Sequence, residues 1–231
     1  ANALLSCRAP DGALQVLNRF SPASGQQRQQ WLVMRWRAAN AGLHHQLAAE
    51  ALQQLAEGDL ARLELIPLPL KLRDDGSLAT RPALDVYADH LLALGRPEQA
   101  AAALLSGRIG GQLAAERLQL AVSLLPKLSW QQRDQLLEQA LDQAAAAEAW
   151  GLALTLLADQ QRLLALENPA AVARPQQRLV RLSKRVDDAY SEWQLRQEDP
   201  AQAARALQLQ QQLRSPRAPG GHAALSSAPQ P

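Results

Sequence analysis

Leu84-Asp85-Val86-Tyr87-Ala88-Asp89-His90-Leu91, followed by Gly95-Arg96-Pro97 and then Ala100 to Leu104, is the stretch that decides the fold. Leu84, Tyr87, Ala88 and Leu91 recur at intervals of three and four residues, so they share one face of a helix. Gly95 ends that helix, and Pro97 suits the first turn of the next one, where its fixed φ helps and its missing N–H costs nothing. The segment therefore reads as two antiparallel helices joined by a tight turn. Small side chains at Ala88 and Ala100 let the helices approach closely, and Leu84, Tyr87, Leu91 and Leu104 fill the space around them.

Working outward, the same pattern recurs in weaker form. Trp31, Met34 and Ala38, with Leu32 and Trp36 beside them, give a helix over about Gln26 to Asn40 that Gly42 breaks. A second helix from about Leu43 to Glu57 carries Leu47, Ala51, Leu52 and Leu55 on one face and ends at Gly58-Asp59. Pro10 to Phe20 reads as one more helix, the surviving half of an earlier hairpin. Between Leu65 and Pro82 the prolines at 67 and 69 forbid a regular helix, and Leu68, Leu70 and Leu72 alternate with Pro69 and Lys71 up to Asp74-Asp75-Gly76. That stretch predicts an extended insertion or a small β-hairpin. Further helices are expected at about Gln112 to Leu125, Trp130 to Ala146 with Ser129 as its cap, and Glu148 to Leu166. Arg174 to Arg196 reads as one long polar helix with a narrow seam of Leu179, Val186, Tyr190 and Trp193. A last helix, capped by Asp199 with Pro200 in its first turn, runs to about Arg214. Beyond Ser215, a Pro, Gly, Ser and Ala composition predicts a disordered tail.

The whole composition agrees with a helical chain. Of 231 residues, about half are Ala, Leu and Gln, and only 3% are aromatic. Strong helix formers with so few β-branched and aromatic residues argue against a sheet-rich protein. The net charge of +2, from 24 basic and 22 acidic residues, is too balanced to point to nucleic acid or a membrane surface by itself. Cys7 is the only cysteine, which excludes a disulfide scaffold.

The size pattern of the 84–104 segment resembles the tetratricopeptide repeat, whose first helix carries large, large, small and large residues, with glycine in the turn and a small then a large residue on the second helix. Laid on the first hairpin, the register selects Trp31, Met34, Arg35, Ala38, Gly42, Leu47 and Ala51, with the small and large positions of the second helix reversed. A third unit uses Leu137, Ala140, Ala144, Glu148, Ala153 and Leu157 without a turn glycine. The turns fall about 53 residues apart, against roughly 34 in a regular array. The expected organisation is all-α: a truncated, partly helical segment over 1–25, and a tetratricopeptide-like array of antiparallel hairpins over 26–166, an α-solenoid with its insertion at about 65–82. C-terminal helices over 167–214 and a disordered tail over 215–231 complete it. A generic helical bundle rich in Ala and Leu is the competing reading.

No constellation for catalysis or metal binding stands out. His44-His45 are adjacent rather than one turn apart, and HExxH, paired CxxC and phosphate-cradling glycine loops are absent from the sequence. The expectation is a protein that is not an enzyme and needs no cofactor. The resemblance implies a protein-binding scaffold whose concave groove holds a partner peptide or helix segment. Its register places Gln29, Leu32, Trp36 and Asn40 of the first hairpin and Asp85, Asp89 and Leu92 of the second in that groove. Trp36 would be an aromatic anchor, and the two Asp would meet a basic partner side chain; a core Trp36 and a solvated Asp pair are the alternative. Arg174, Arg178, Arg181 and Arg185 form a basic stripe that reads first as a solvated face, because Asp187-Asp188 follow and no aromatic residues interleave, with nucleic-acid binding through this helix as the weaker alternative. Leu4-Leu5-Ser6-Cys7 resembles the end of a bacterial lipoprotein signal. A cytoplasmic location is the expectation, with an envelope lipoprotein acting as an assembly factor as the alternative, membrane contact then depending on lipidated Cys7.

Overall fold

In the computed structural model, residues 1–72, 74–197 and 200–214 are described, without the side chains of Lys71, Leu72 and Arg214. The Asp199 cap and the tail expected after Ser215 lie outside these residues. The chain is mostly helical, with one two-stranded sheet, and it divides into two compact units, residues 1–129 and 130–231.

In the first unit α1 (Asn2–Ser6) and α2 (Pro10–Asn18) precede α3 (Gln26–Ala41) and α4 (His45–Leu55). A 3-10 turn over Leu60–Leu65 leads into strands β1 (Pro67–Leu72) and β2 (Leu78–Pro82). Then come α5 (Ala83–Ala93), α6 (Pro97–Leu105) and α7 (Gln112–Leu124). Helices adjacent in sequence pack on one another, α2 on α3, α3 on α4, α4 on α5, α5 on α6 and α6 on α7. Their shared core includes Leu17, Leu32, Trp36, Leu52, Leu84 and Leu91. The expected insertion is an antiparallel ribbon with Pro67 opposite Pro82. A two-stranded ribbon tolerates these prolines because each strand has an unpaired edge. Leu68 is fully buried and anchors the ribbon to the helices.

The second unit contains α8 (Trp130–Ala146), α9 (Trp150–Glu167), a 3-10 turn at Pro169–Ala171, α10 (Ala173–Arg185), α11 (Ala189–Arg196), a 3-10 turn at Pro200–Gln202 and α12 (Ala203–Arg214). Leu137, Leu156, Leu164, Leu179 and Leu209 form its buried centre. One expectation changes here. The single helix over 174–196 is two helices, because Asp187 turns the chain with φ +54° and Asp188 caps α11 by accepting from the Ser191 N–H at 3.0 Å and the Ser191 hydroxyl at 2.6 Å. At the N-terminus the short helix α1 packs on the Pro10 helix.

One turn joins five of the helix pairs. Arg8, Leu43, Gly95, Glu148 and Asp187 all adopt left-handed φ, between +54° and +69°. In each case the next residue donates its N–H to the carbonyl five residues back: Ala9 to Leu4, His44 to Ala39, Arg96 to Leu91, Ala149 to Ala144 and Asp188 to Ser183, at 2.8–2.9 Å. This is the Schellman closure, which satisfies an end carbonyl of the first helix while reversing the chain. Five residues beyond the left-handed position stand Ala13, Ala48, Ala100 and Ala153, all buried, and nine beyond it Leu17, Leu52, Leu104 and Leu157, also buried. The turn of the first full hairpin is thus centred on Leu43 rather than Gly42. That one-residue shift places Ala48 and Leu52 in the small-then-large order and removes the reversal read from the sequence.

Candidate interaction site

The groove stripe on α3 and α5 is largely interior. Leu32, Trp36 and Asp85 are 3%, 1% and 6% exposed. Trp36 donates its indole N–H to His90 Nε2 at 3.2 Å, and Asp85 accepts from Arg117 Nε at 2.6 Å. These three cannot touch a partner, so their assignment to a groove is corrected: the apolar stripe of α3 is spent on packing within the unit. Gln29 and Asn40, at the two ends of the stripe, are exposed, and Leu92 is half-buried. Asp89 is exposed but holds Arg81 at 2.7 Å, so its charge is already matched.

Two buried polar clusters explain why these residues are where they are. His90 Nε2 accepts the Trp36 proton, so its own proton sits on Nδ1 and points to His45 Nδ1, 3.1 Å away. A second proton on His90 would face the Trp36 N–H. Burial holds the His90 pKa below its ordinary value, the neighbouring His45 adds to the depression, and Asp89 opposes it. In the other cluster Arg117 binds both Asp85 and Glu64, while Glu64 also accepts from the backbone N–H groups of Arg108 (2.6 Å) and Ile109 (3.1 Å). A Cβ on Gly107 would meet Glu64 Oε1 at 2.8 Å and Arg117 at 2.9 Å, so glycine lets the loop close over the ion cluster without displacing either side chain. Nothing local in the sequence signals either cluster, because residue 36 meets residue 90 and residue 64 meets residue 117 only through the fold.

The basic stripe on α10 divides in two. Arg174 donates to both carboxylate oxygens of Asp134 at 2.7 Å, and Arg178 to both of Glu138 at 2.8 Å. The carboxamide of the fully buried Gln160 donates to the same two acids. Burial pushes the Glu138 pKa up, but hydrogen bonds from Arg178 and Gln160 and the two arginine charges outweigh it and hold the carboxyl below its ordinary value. Arg181 and Arg185 differ: both are exposed, and neither meets a carboxylate among the described residues. The Arg185 guanidinium carbon lies over the Trp150 ring, 4.6 Å from its centroid.

Beneath these arginines is an open cleft of about 250 Å³, formed by α8, α9 and α10. Leu141, Leu157 and Leu182 floor it, and Trp150, Arg181 and Arg185 stand at its edge. Arg181 also borders a second hollow of about 390 Å³ along α10 and α11. The sequence offered the four arginines as one stripe; which two were free depended on where α8 placed its acids. Trp150 carries a weak signal, as the second residue after a left-handed turn. Among the described residues no group of three or more His, Cys, Asp or Glu could hold a metal ion, and no helix is long and apolar enough to cross a membrane. Cys7 is exposed, directly after α1. No family model, curated protein or solved structure was found to match the chain.

Proposed function

We propose that this chain is a non-enzymatic interaction scaffold built from tetratricopeptide-like helical hairpins that holds a segment of a protein partner. The observation that carries the reading is the shared turn of five helix pairs, four of them followed by a buried Ala and a buried Leu at the same two offsets. A lone hairpin cannot bury its apolar face, and a row of them can while leaving long helix surfaces for recognition. Trp36, His90 and His45, and Glu64, Asp85 and Arg117, are paired with one another inside the first unit, which leaves that buried chemistry occupied by structure. Recognition then falls to exposed side chains. The cleft at Trp150 combines a tryptophan with two arginines that meet no carboxylate among the described residues, the residue types that dominate binding hot spots.

The test is cross-linking of the full-length chain in its host, followed by reconstitution of the purified pair. The reading expects a stoichiometric complex with one protein. Failure of every cross-linked candidate to form a complex in purified form would sink it.

A further inference from the structure

We infer that the cleft at Trp150, Arg181 and Arg185 receives an acidic amphipathic helix of the partner, with two carboxylates one turn apart beside an aliphatic side chain. This rests on the scaffold reading and names the chemistry of its partner.

Charge complementarity selects the occupant. Arg174 and Arg178 are neutralised by Asp134 and Glu138, so the stripe presents a net positive charge only at Arg181 and Arg185. These two residues are four apart on α10, which sets their backbones about 6 Å apart along the helix axis. Carboxylates at i and i+4 of a partner helix have the same spacing. The Arg185 guanidinium carbon sits over the Trp150 ring at 4.6 Å from its centroid, and the group carries five N–H donors, two of which a carboxylate can take. Arg185 is therefore oriented in advance and loses less freedom on binding.

The floor adds a second requirement. Ala145, exposed, and Leu182, half-buried, offer apolar contact directly beside the cations in a cleft also lined by the buried Leu141 and Leu157. At about 250 Å³ the cleft is smaller than the roughly 300–1,000 Å³ of small-molecule sites, and it suits one or two side chains of a larger partner. A sugar–phosphate backbone would match the arginines but leave this floor bare, and base stacking would need the Trp150 face that Arg185 covers. The chain's own residues 215–231 contain no acidic residue, so they do not match the cations.

The probe is a fluorescent helical peptide with two glutamates one turn apart and two leucines on the same face, measured by anisotropy against the full chain. Binding is expected, with a loss of about tenfold or more on combined Arg181→Glu and Arg185→Glu substitution. Peptide lysines in place of the glutamates should restore binding to that double variant. Ala145→Phe, at an exposed position lining the cleft, should block binding while circular dichroism shows the helices intact. No binding to the unmodified chain, or binding unchanged by the double variant, overturns the proposal. So does arginine-dependent binding to phosphatidylserine vesicles or single-stranded RNA when the peptide does not bind. A peptide that fails while a reconstituted partner complex persists removes this site alone; loss of the complex itself removes the scaffold reading.

Discussion

Hairpins α5–α6 and α10–α11 turn the same corner with different interiors. Both pass through a left-handed residue, Gly95 in one and Asp187 in the other, and both close with the same six-residue hydrogen-bonded loop. In the first, the second helix presents Ala100 and Leu104 to the core. In the second, the equivalent places hold Glu192 and Arg196, and Glu192, 3% exposed, is bonded by Arg196 at 2.9 Å and Arg205 at 3.2 Å. The backbone closure is thus independent of what fills the hairpin. One pair is held by apolar area, which is insensitive to salt and pH, and the other by charges that must be paired to be buried at all.

The largest effect expected from this contrast is at Leu104. Leu104→Ala leaves a cavity under α6 and should cost about 2–5 kcal/mol in urea denaturation. Arg196→Ala, at the matching place in α11, should cost less, about 1–3 kcal/mol, because Arg205 still meets Glu192. Equal costs would break the distinction between the two interiors.

Acid should separate the hairpins further. Burial pushes the Glu192 pKa up, but hydrogen bonds from Arg205 and Arg196 together with their charges overcome it and hold the value below its ordinary level near 4.5. The folded state therefore favours the charged form. Its contribution is fully present above pH of about 4.5 and is lost as pH falls through the depressed folded value. Hydrogen exchange between pH 6 and 3, corrected for intrinsic rates, should show α11 losing protection before α6, and simultaneous loss would contradict the ionic account.

The turn itself gives the smallest and sharpest comparison. Gly95→Ala meets no atom within 4 Å, so its cost is conformational, about 1 kcal/mol. Leu43 has φ +57° and is 73% exposed, so Leu43→Gly relieves strain at little loss of contact. Greater unfolded-chain freedom offsets part of the gain, and a stabilisation of a few tenths of a kcal/mol is expected in thermal melts.

Helix positions were readable because they depend on local periodicity and on prolines and glycines: α3, α5, α7 and α8 lie within a residue or two of where the pattern placed them. The break at Asp187 was harder to see, since aspartate is tolerated in a left-handed turn without the plain mark of glycine. Leu43 hid its turn in the same way, and the register of the first hairpin was one residue out as a result.

The candidate site was legible only in its parts. Arginine spacing put four cations on one face of α10, but two ion pairs with α8 matched two of them, and no local pattern couples residue 178 to residue 138. Trp36 had the composition of a binding anchor and was instead enclosed beside His90. Sequence by itself determined most helix positions, the insertion and the size pattern of the 84–104 hairpin, because those follow from near-neighbour sterics. Tertiary structure decided which polar groups are buried, paired or free, because that depends on desolvation and on partners distant in the chain.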